Sequence, residues 1–172
     1  MRNKLIMLLF MAKDSLIFSL VVFIVLILLK KLLKKPLDRK KLALNYCFIF
    51  YICVLLEVTG IIGVFRMTQY KMEWFRDSFQ NIMPVIPNNT GEIEMILCNI
   101  ALLLPFGFLI KACINKLKAI NVLLISCGFV LIIEMIQAAG GRMFETNDII
   151  ANVMGAILGY ILYCLYKKHR KK

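Results

Sequence analysis

Five long stretches of this chain run almost without charge, and nothing else in the sequence constrains the fold as strongly. The hydrocarbon core of a bilayer is about 30 Å thick, so roughly 20 apolar helical residues cross it. Residues 15–33, 42–65, 95–110, 119–139 and 148–166 meet or approach that length. Lipid cannot hydrogen-bond a backbone, so each stretch is expected to be a helix. The expected fold is therefore all-α: a polytopic transmembrane helical bundle of about five spans. Composition agrees, because a 61% hydrophobic content and a mean hydropathy of +0.81 exclude an ordinary soluble domain. No linker, low-complexity tract or internal repeat divides the chain, so one compact bundle is expected. The third stretch contains Pro105 and Gly107, which predict a kink or tilt. The apolar run 5–12 is too short to span, and no small-residue cleavage site follows the first long stretch. It reads as an interfacial turn or an extension of the first span.

Lys and Arg set the expected orientation, because basic loops tend to stay in the cytoplasm. Fifteen of them lie after the first span, between the third and fourth spans, and in the tail; seven lie on the other side. This distribution predicts the N-terminus outside and the C-terminus inside. The net charge of +12 does not point to nucleic acid, since the basic residues flank the spans without interleaved aromatic groups or a nucleic-acid module. Membrane lipids with anionic headgroups are the expected contacts. Six cysteines are dispersed through the apolar segments without a CxxC pair, as expected of small buried hydrophobes rather than disulfides or metal ligands.

With that orientation, several polar residues fall at one depth near the outer face. Glu134 and Gln137 end the fourth span; Asn99 and Asn152 lie about a turn inside the starts of the third and fifth. Glu57 lies deeper in the second span, where Thr59 or Arg66 could pair with it. An intramembrane acid costs about 2.5 to 3.5 kcal/mol at a helix centre, and less near an end, so these acids need partners. Arg142 is the only basic residue in the loop between the fourth and fifth spans, and Glu134, Glu145 and Asp148 are its candidate carboxylates. Glu134 and Gln137 share a helix face. Asp148, Asn152, Gly155 and Gly159 form one stripe, polar at the top and small below, with Thr146 or Asn147 as the helix cap. Two readings stay open: a polar clamp between helices, or a ligand-facing site with Glu134 or Asp148 as candidate acid or base. Gly155 and Gly159 fit close helix packing, within the chain or in a homo- or hetero-oligomer.

The same residues resemble a known family. Asn99-Ile-Ala-Leu-Leu-Leu-Pro105-Phe106-Gly107-Phe108 is similar to the N-x(5)-P-F-G-F pattern of the VanZ-like family. Glu134-x-x-Gln137, Arg142 and Asp148-x-x-x-Asn152-x-x-Gly155-x-x-x-Gly159 resemble its second half, and Asn81-Ile-Met-Pro84 resembles the entry to its third span. Departures are Glu145 and Asn147, where relatives often carry Asp or another acid, and Leu103 where many have Phe. The resemblance implies three parts. Residues 1–41 are an added span with a basic cytoplasmic loop, 42–166 a four-helix VanZ-like membrane domain, and 167–172 a basic cytoplasmic tail.

It also implies a bacterial plasma-membrane protein of the cell envelope, because the family is named for an accessory protein that confers low-level teicoplanin resistance. On that reading Arg142 holds an anionic headgroup or a lipid-linked phosphate, such as that of a cell-wall precursor, or engages a lipoglycopeptide. Gln137, Asn152, Asn99 and Glu145 complete the ligand site. One alternative is an intramembrane enzyme acting on a lipid-linked envelope substrate. Another is an assembly or partner subunit without catalysis. The only histidine, His169, sits in the tail, so no Ser-His-Asp or Cys-His set can form at the outer face. No HExxH, CxxC pair or P-loop is present, and neither a cofactor nor a metal is expected.

Overall fold

A computed structural model describes residues 2–34, 36, 38–65, 72–79 and 82–170, with the backbone alone for 2–12, 63, 72 and 74. Among the described residues seven helices follow one another: α1 (Arg2–Leu32), α2 (Arg39–Val58), α3 (Ile61–Phe65), α4 (Met72–Asp77), α5 (Thr90–Cys113), α6 (Ala119–Ala139) and α7 (Thr146–His169). Five are long and apolar enough to cross a membrane: α2, α5, α6, α7 and the Lys13–Leu32 part of α1. The protein is a multi-pass membrane protein. Large apolar side chains such as Phe18, Leu28, Leu124, Ile132 and Met154 lie exposed on these helices, as lipid-facing surfaces require.

The described residues form two compact units, Met1–Val58 and Thr59–Lys172, where one bundle was expected. The two differ in sequence too: the first glycine is Gly60, so the closest helix approaches, those that glycine permits, belong to the second unit. In the first unit α1 packs on α2, with Phe23 and Tyr46 rings 5.1 Å apart. The run 5–12 is helical and extends α1, resolving the N-terminal reading in favour of an extension.

In the second unit α5 and α7 make the most extensive helix pair, and α6 packs on α7. A Cβ added at Gly155 would lie 2.2 Å from the Ile100 carbonyl oxygen, and one at Gly159 would lie 1.9 Å from that of Leu104. From the other side, Gly107 of α5 abuts the Ala156 backbone, where a Cβ would meet the carbonyl oxygen at 1.7 Å. Bare backbones thus interlock from both helices. Within the chain, α5 packs against the glycine stripe. Phe106 and Phe129 stack at 4.9 Å to join α5 to α6.

Several helix bounds differ from expectation for local reasons. Helix α2 stops at Val58 rather than continuing to 65, because Gly60 takes φ +77, which an L side chain resists. Helix α5 begins five residues early. Asn89 Oδ1 accepts the Glu92 N–H at 2.9 Å, while Glu92 accepts the Asn88 N–H at 2.7 Å and the Asn89 amide at 2.8 Å. This is a reciprocal cap, and it places Glu92, which looked like loop, in the first turn of a helix. Helix α5 runs unbroken through Pro105. The six cysteines are free thiols, but only Cys53 is buried. Cys47 and Cys98 lie on outward helix faces, where a lipid-facing thiol needs no protein partner.

Candidate functional site

The polar residues singled out in the sequence collect at the end of the second unit where α5 and α7 start and α6 finishes. Glu134 is 3% exposed, Gln137 6% and Asn152 6%. Each sits on an otherwise apolar helix, so each needs a reason to be there. Asn99 of α5 donates its amide to Asp148 Oδ1 of α7 at 2.6 Å. Gln137 of α6 donates to the Thr59 carbonyl at 2.7 Å. That carbonyl is freed by the break before Gly60, so the interruption of the helix supplies an acceptor that a continuous helix would hide. Asn152 Oδ1 is buried with no hydrogen-bond partner.

Arg142 does not form the expected carboxylate pair. Its Nη1 donates to the Thr59 carbonyl at 3.3 Å, and among the described residues no ion pair joins it to Glu134, Glu145 or Asp148. The freed carbonyl competes for the guanidinium locally. Arg142 nevertheless lies within electrostatic reach of Glu134 and Asp148. Glu134 also feels the Glu145 and Asp148 charges, and the Glu145 backbone N–H faces its carboxylate. The structure therefore gathers Asn99, Glu134, Gln137, Arg142, Glu145, Asp148 and Asn152 at one end, as the spacing predicted. Glu57 lies apart from this cluster: its Oε2 is buried without a partner, and Arg66 lies outside the described residues.

A cavity of about 410 Å³ opens beside these groups. Glu92, Glu145 and Asp148 line it together with Met83, Met95 and Met143. Thioether side chains adapt to irregular apolar ligands, and the acids give the cavity a negative rim. Its wall is fixed by two side chains expected to cap α7. Thr146 instead donates to the Ile82 carbonyl, and Asn147 donates to that of Val85 at 2.7 Å. The α7 cap position is Glu145, which makes no side-chain capping bond and keeps its carboxylate on the cavity.

Sequence reading missed three further supports of the site. Gly141, at φ +84, turns the chain from α6 towards Arg142. The Ser78 hydroxyl donates to the Ala138 carbonyl at 3.1 Å, the Ser78 backbone carbonyl accepts the Phe144 N–H at 3.0 Å, and the Phe79 ring lies 5.0 Å from the Phe144 ring. These bonds pin the segment after α4 onto the α6–α7 loop. Only the Thr59-Gly60 and Gly140-Gly141 dipeptides signalled any of this in advance. Asn81 of the entry motif lies outside the described residues.

No solved structure matches the chain. It is 29% identical to "Protein VanZ" of Enterococcus faecium over 139 residues, covering 78% of each protein. The family described as VanZ/LLP1 matches residues 48–167, a stretch that contains every polar side chain of this cluster. With the helices and the cluster in place along that stretch, the chain belongs to the VanZ/LLP1 family.

Proposed function

We propose that this membrane protein lowers susceptibility to teicoplanin and other acylated glycopeptides, acting at the outer leaflet through the cluster around Glu134, Asp148 and Asn152. The observation that carries the reading is the unpaired, buried Asn152 Oδ1 amid buried Glu134 and Gln137. A cluster serving only to clamp helices satisfies its own acceptors, whereas an acceptor left open inside a membrane protein suits a ligand donor. The adjoining cavity supports the same reading, since its methionines offer an apolar bed for an acyl chain. Teicoplanin carries such a chain and vancomycin does not. The acid-lined part of the cavity suits hydrogen-bond donors of the ligand, while exposed Arg142, the sequence neighbour of the cavity residue Met143, keeps donors for a phosphate or carboxylate. The surplus of Lys and Arg on the opposite side supports an outward-facing site with the C-terminus inside.

The test is teicoplanin and vancomycin susceptibility of a host lacking the gene. It would express wild type or Glu134→Gln, Arg142→Gln or Asp148→Asn, at membrane abundance matched by immunoblot. The expected outcome is protection against teicoplanin by wild type and its loss in each variant, with vancomycin susceptibility unchanged throughout. Equal protection by all variants makes the cluster structural, and no protection by wild type removes the resistance role.

A further inference from the structure

The opposite end of the second unit carries a second cavity, of about 390 Å³, built where α5 and α7 finish. Lys111, Lys167 and Lys168 line it, with Asn115, Tyr163 and Cys164 completing the wall. Three ammonium groups around one cavity repel each other unless something negative sits among them. Among the described residues no ion pair is made by these lysines, and the segments that build the cavity carry no acid between residues 95 and 133 or after 148.

The lysines are held by neutral acceptors instead. Lys111 Nζ donates to the Asn115 carbonyl at 2.8 Å and to that of Leu117, which folds the loop between α5 and α6 around it. It also lies 5.3 Å from the Tyr160 ring centre, a contact that stabilises a cation without neutralising it. Lys167 Nζ donates to Asn115 Oδ1 at 2.6 Å. Each ammonium has three donors, so donors remain on Lys167, and Lys168 is exposed. The result is a set of positioned cations with unneutralised charge.

We propose that this cavity binds a phosphate group, either that of an anionic phospholipid or that of a soluble phosphoester. The site is separate from the Glu134 cluster and does not depend on its function. A lipid source fits the surroundings. Ile161 and Leu165, seven and three residues before Lys168, share its helix face and are exposed, so acyl chains have an apolar track leading from the lysines. Aromatic rings band the same level, with Phe108 5.3 Å from Tyr163 and 6.2 Å from Tyr166, as expected at a membrane interface.

The experiment uses the purified full chain in detergent, with bound lipid counted by native mass spectrometry during titration with phosphatidylglycerol or phosphatidylcholine. Phosphatidylglycerol is expected to bind preferentially. The Lys167→Gln/Lys168→Gln variant is expected to bind it about thirtyfold more weakly, from two lysines near a lipid charge. Lys116→Gln/Lys118→Gln removes the same charge at the same end but outside the cavity, and is expected to shift binding less than about threefold. Lys168→Gln alone breaks no described bond and serves as the variant whose folding is not at issue. Displacement of the lipid by millimolar inorganic phosphate assigns the site to soluble phosphoesters as well; resistance to it assigns the site to the phospholipid. Equal binding of the two lipids, together with no binding of inorganic phosphate, overturns the proposal. So does an equal loss in the two double variants.

Discussion

The two units of this protein are both helical and both greasy, yet they hold themselves together in different ways. The first, Met1–Val58, contains no glycine, and its helices meet through large side chains such as Phe23 and Tyr46. The second, Thr59–Lys172, contains all nine glycines, and three of them let α5 and α7 touch backbone to backbone. In lipid there is little hydrophobic gain from pressing two apolar helices together, so close packing and hydrogen bonds must supply the specificity. The second unit has both. It can therefore fix Asn99, Glu134, Asp148 and Asn152 in one arrangement, which a site needs and a loosely specified hairpin does not.

The largest expected effect tests the backbone contact directly. Gly107→Leu places a Cβ where three Ala156 backbone atoms already lie within 2.9 Å. Helices α5 and α7 must then separate, at a cost of about 3 kcal/mol or more. Gly128→Leu is the control, since a Cβ there meets nothing within 4 Å. It should be neutral, or stabilising by up to about 1 kcal/mol from helix propensity. Unfolding of the full chain in mixed micelles, followed by helix signal, measures both. Equal effects would mean that the glycine contacts do not distinguish the second unit.

How much of this was legible in the sequence depends on how local each feature is. Helix α6 was read to the residue, because a mainly apolar run whose one charge is Glu134 lies between Lys118 and Gly140. The cluster was legible through helical spacing, which brings Glu134 beside Gln137 and Asp148 beside Asn152 whatever the rest of the chain does. Partner choice was not legible. Arg142 bonds a carbonyl exposed by a helix break more than eighty residues away in sequence, and Thr146 and Asn147 hold the 82–85 segment instead of capping α7. Hydropathy reads through the Thr59 break, because 61–65 remains apolar on its far side. Spacing thus predicts which residues share a face, but only the path of the chain decides what that face meets.

The next effect separates stability from function within the cluster. Asn99→Leu leaves Asp148 Oδ1 without its 2.6 Å donor, and the expected loss is about 1 to 3 kcal/mol. Adding Asp148→Leu removes the stranded acceptor as well, so the double variant should recover most of that stability. It should not recover protection against teicoplanin if Asp148 faces a ligand. Restoration of both would show that the pair only joins helices. Gln137→Leu comes next, at about 1 kcal/mol, because Arg142 still donates to the Thr59 carbonyl after the 2.7 Å bond is lost. The same micelle titration reads it.

The smallest effect is expected in the first unit, and it bears most sharply on the contrast. Ser15 and Ser19 are its buried polar side chains of α1 and lie one turn apart, where a polar tie between helices would be placed. Neither makes one. Ser19 donates to the Leu16 carbonyl of its own helix at 2.9 Å, and Ser15 Oγ has no partner. Ser19→Ala removes only a bond made within one helix and should change stability by less than about 0.5 kcal/mol. Ser15→Ala removes an unsatisfied buried hydroxyl and should stabilise by up to about 1 kcal/mol. A loss above about 1.5 kcal/mol from either change is the size of an interhelical hydrogen bond in a membrane. It would mean that the first unit is specified by polar contacts after all, and that glycine content is not what separates the two.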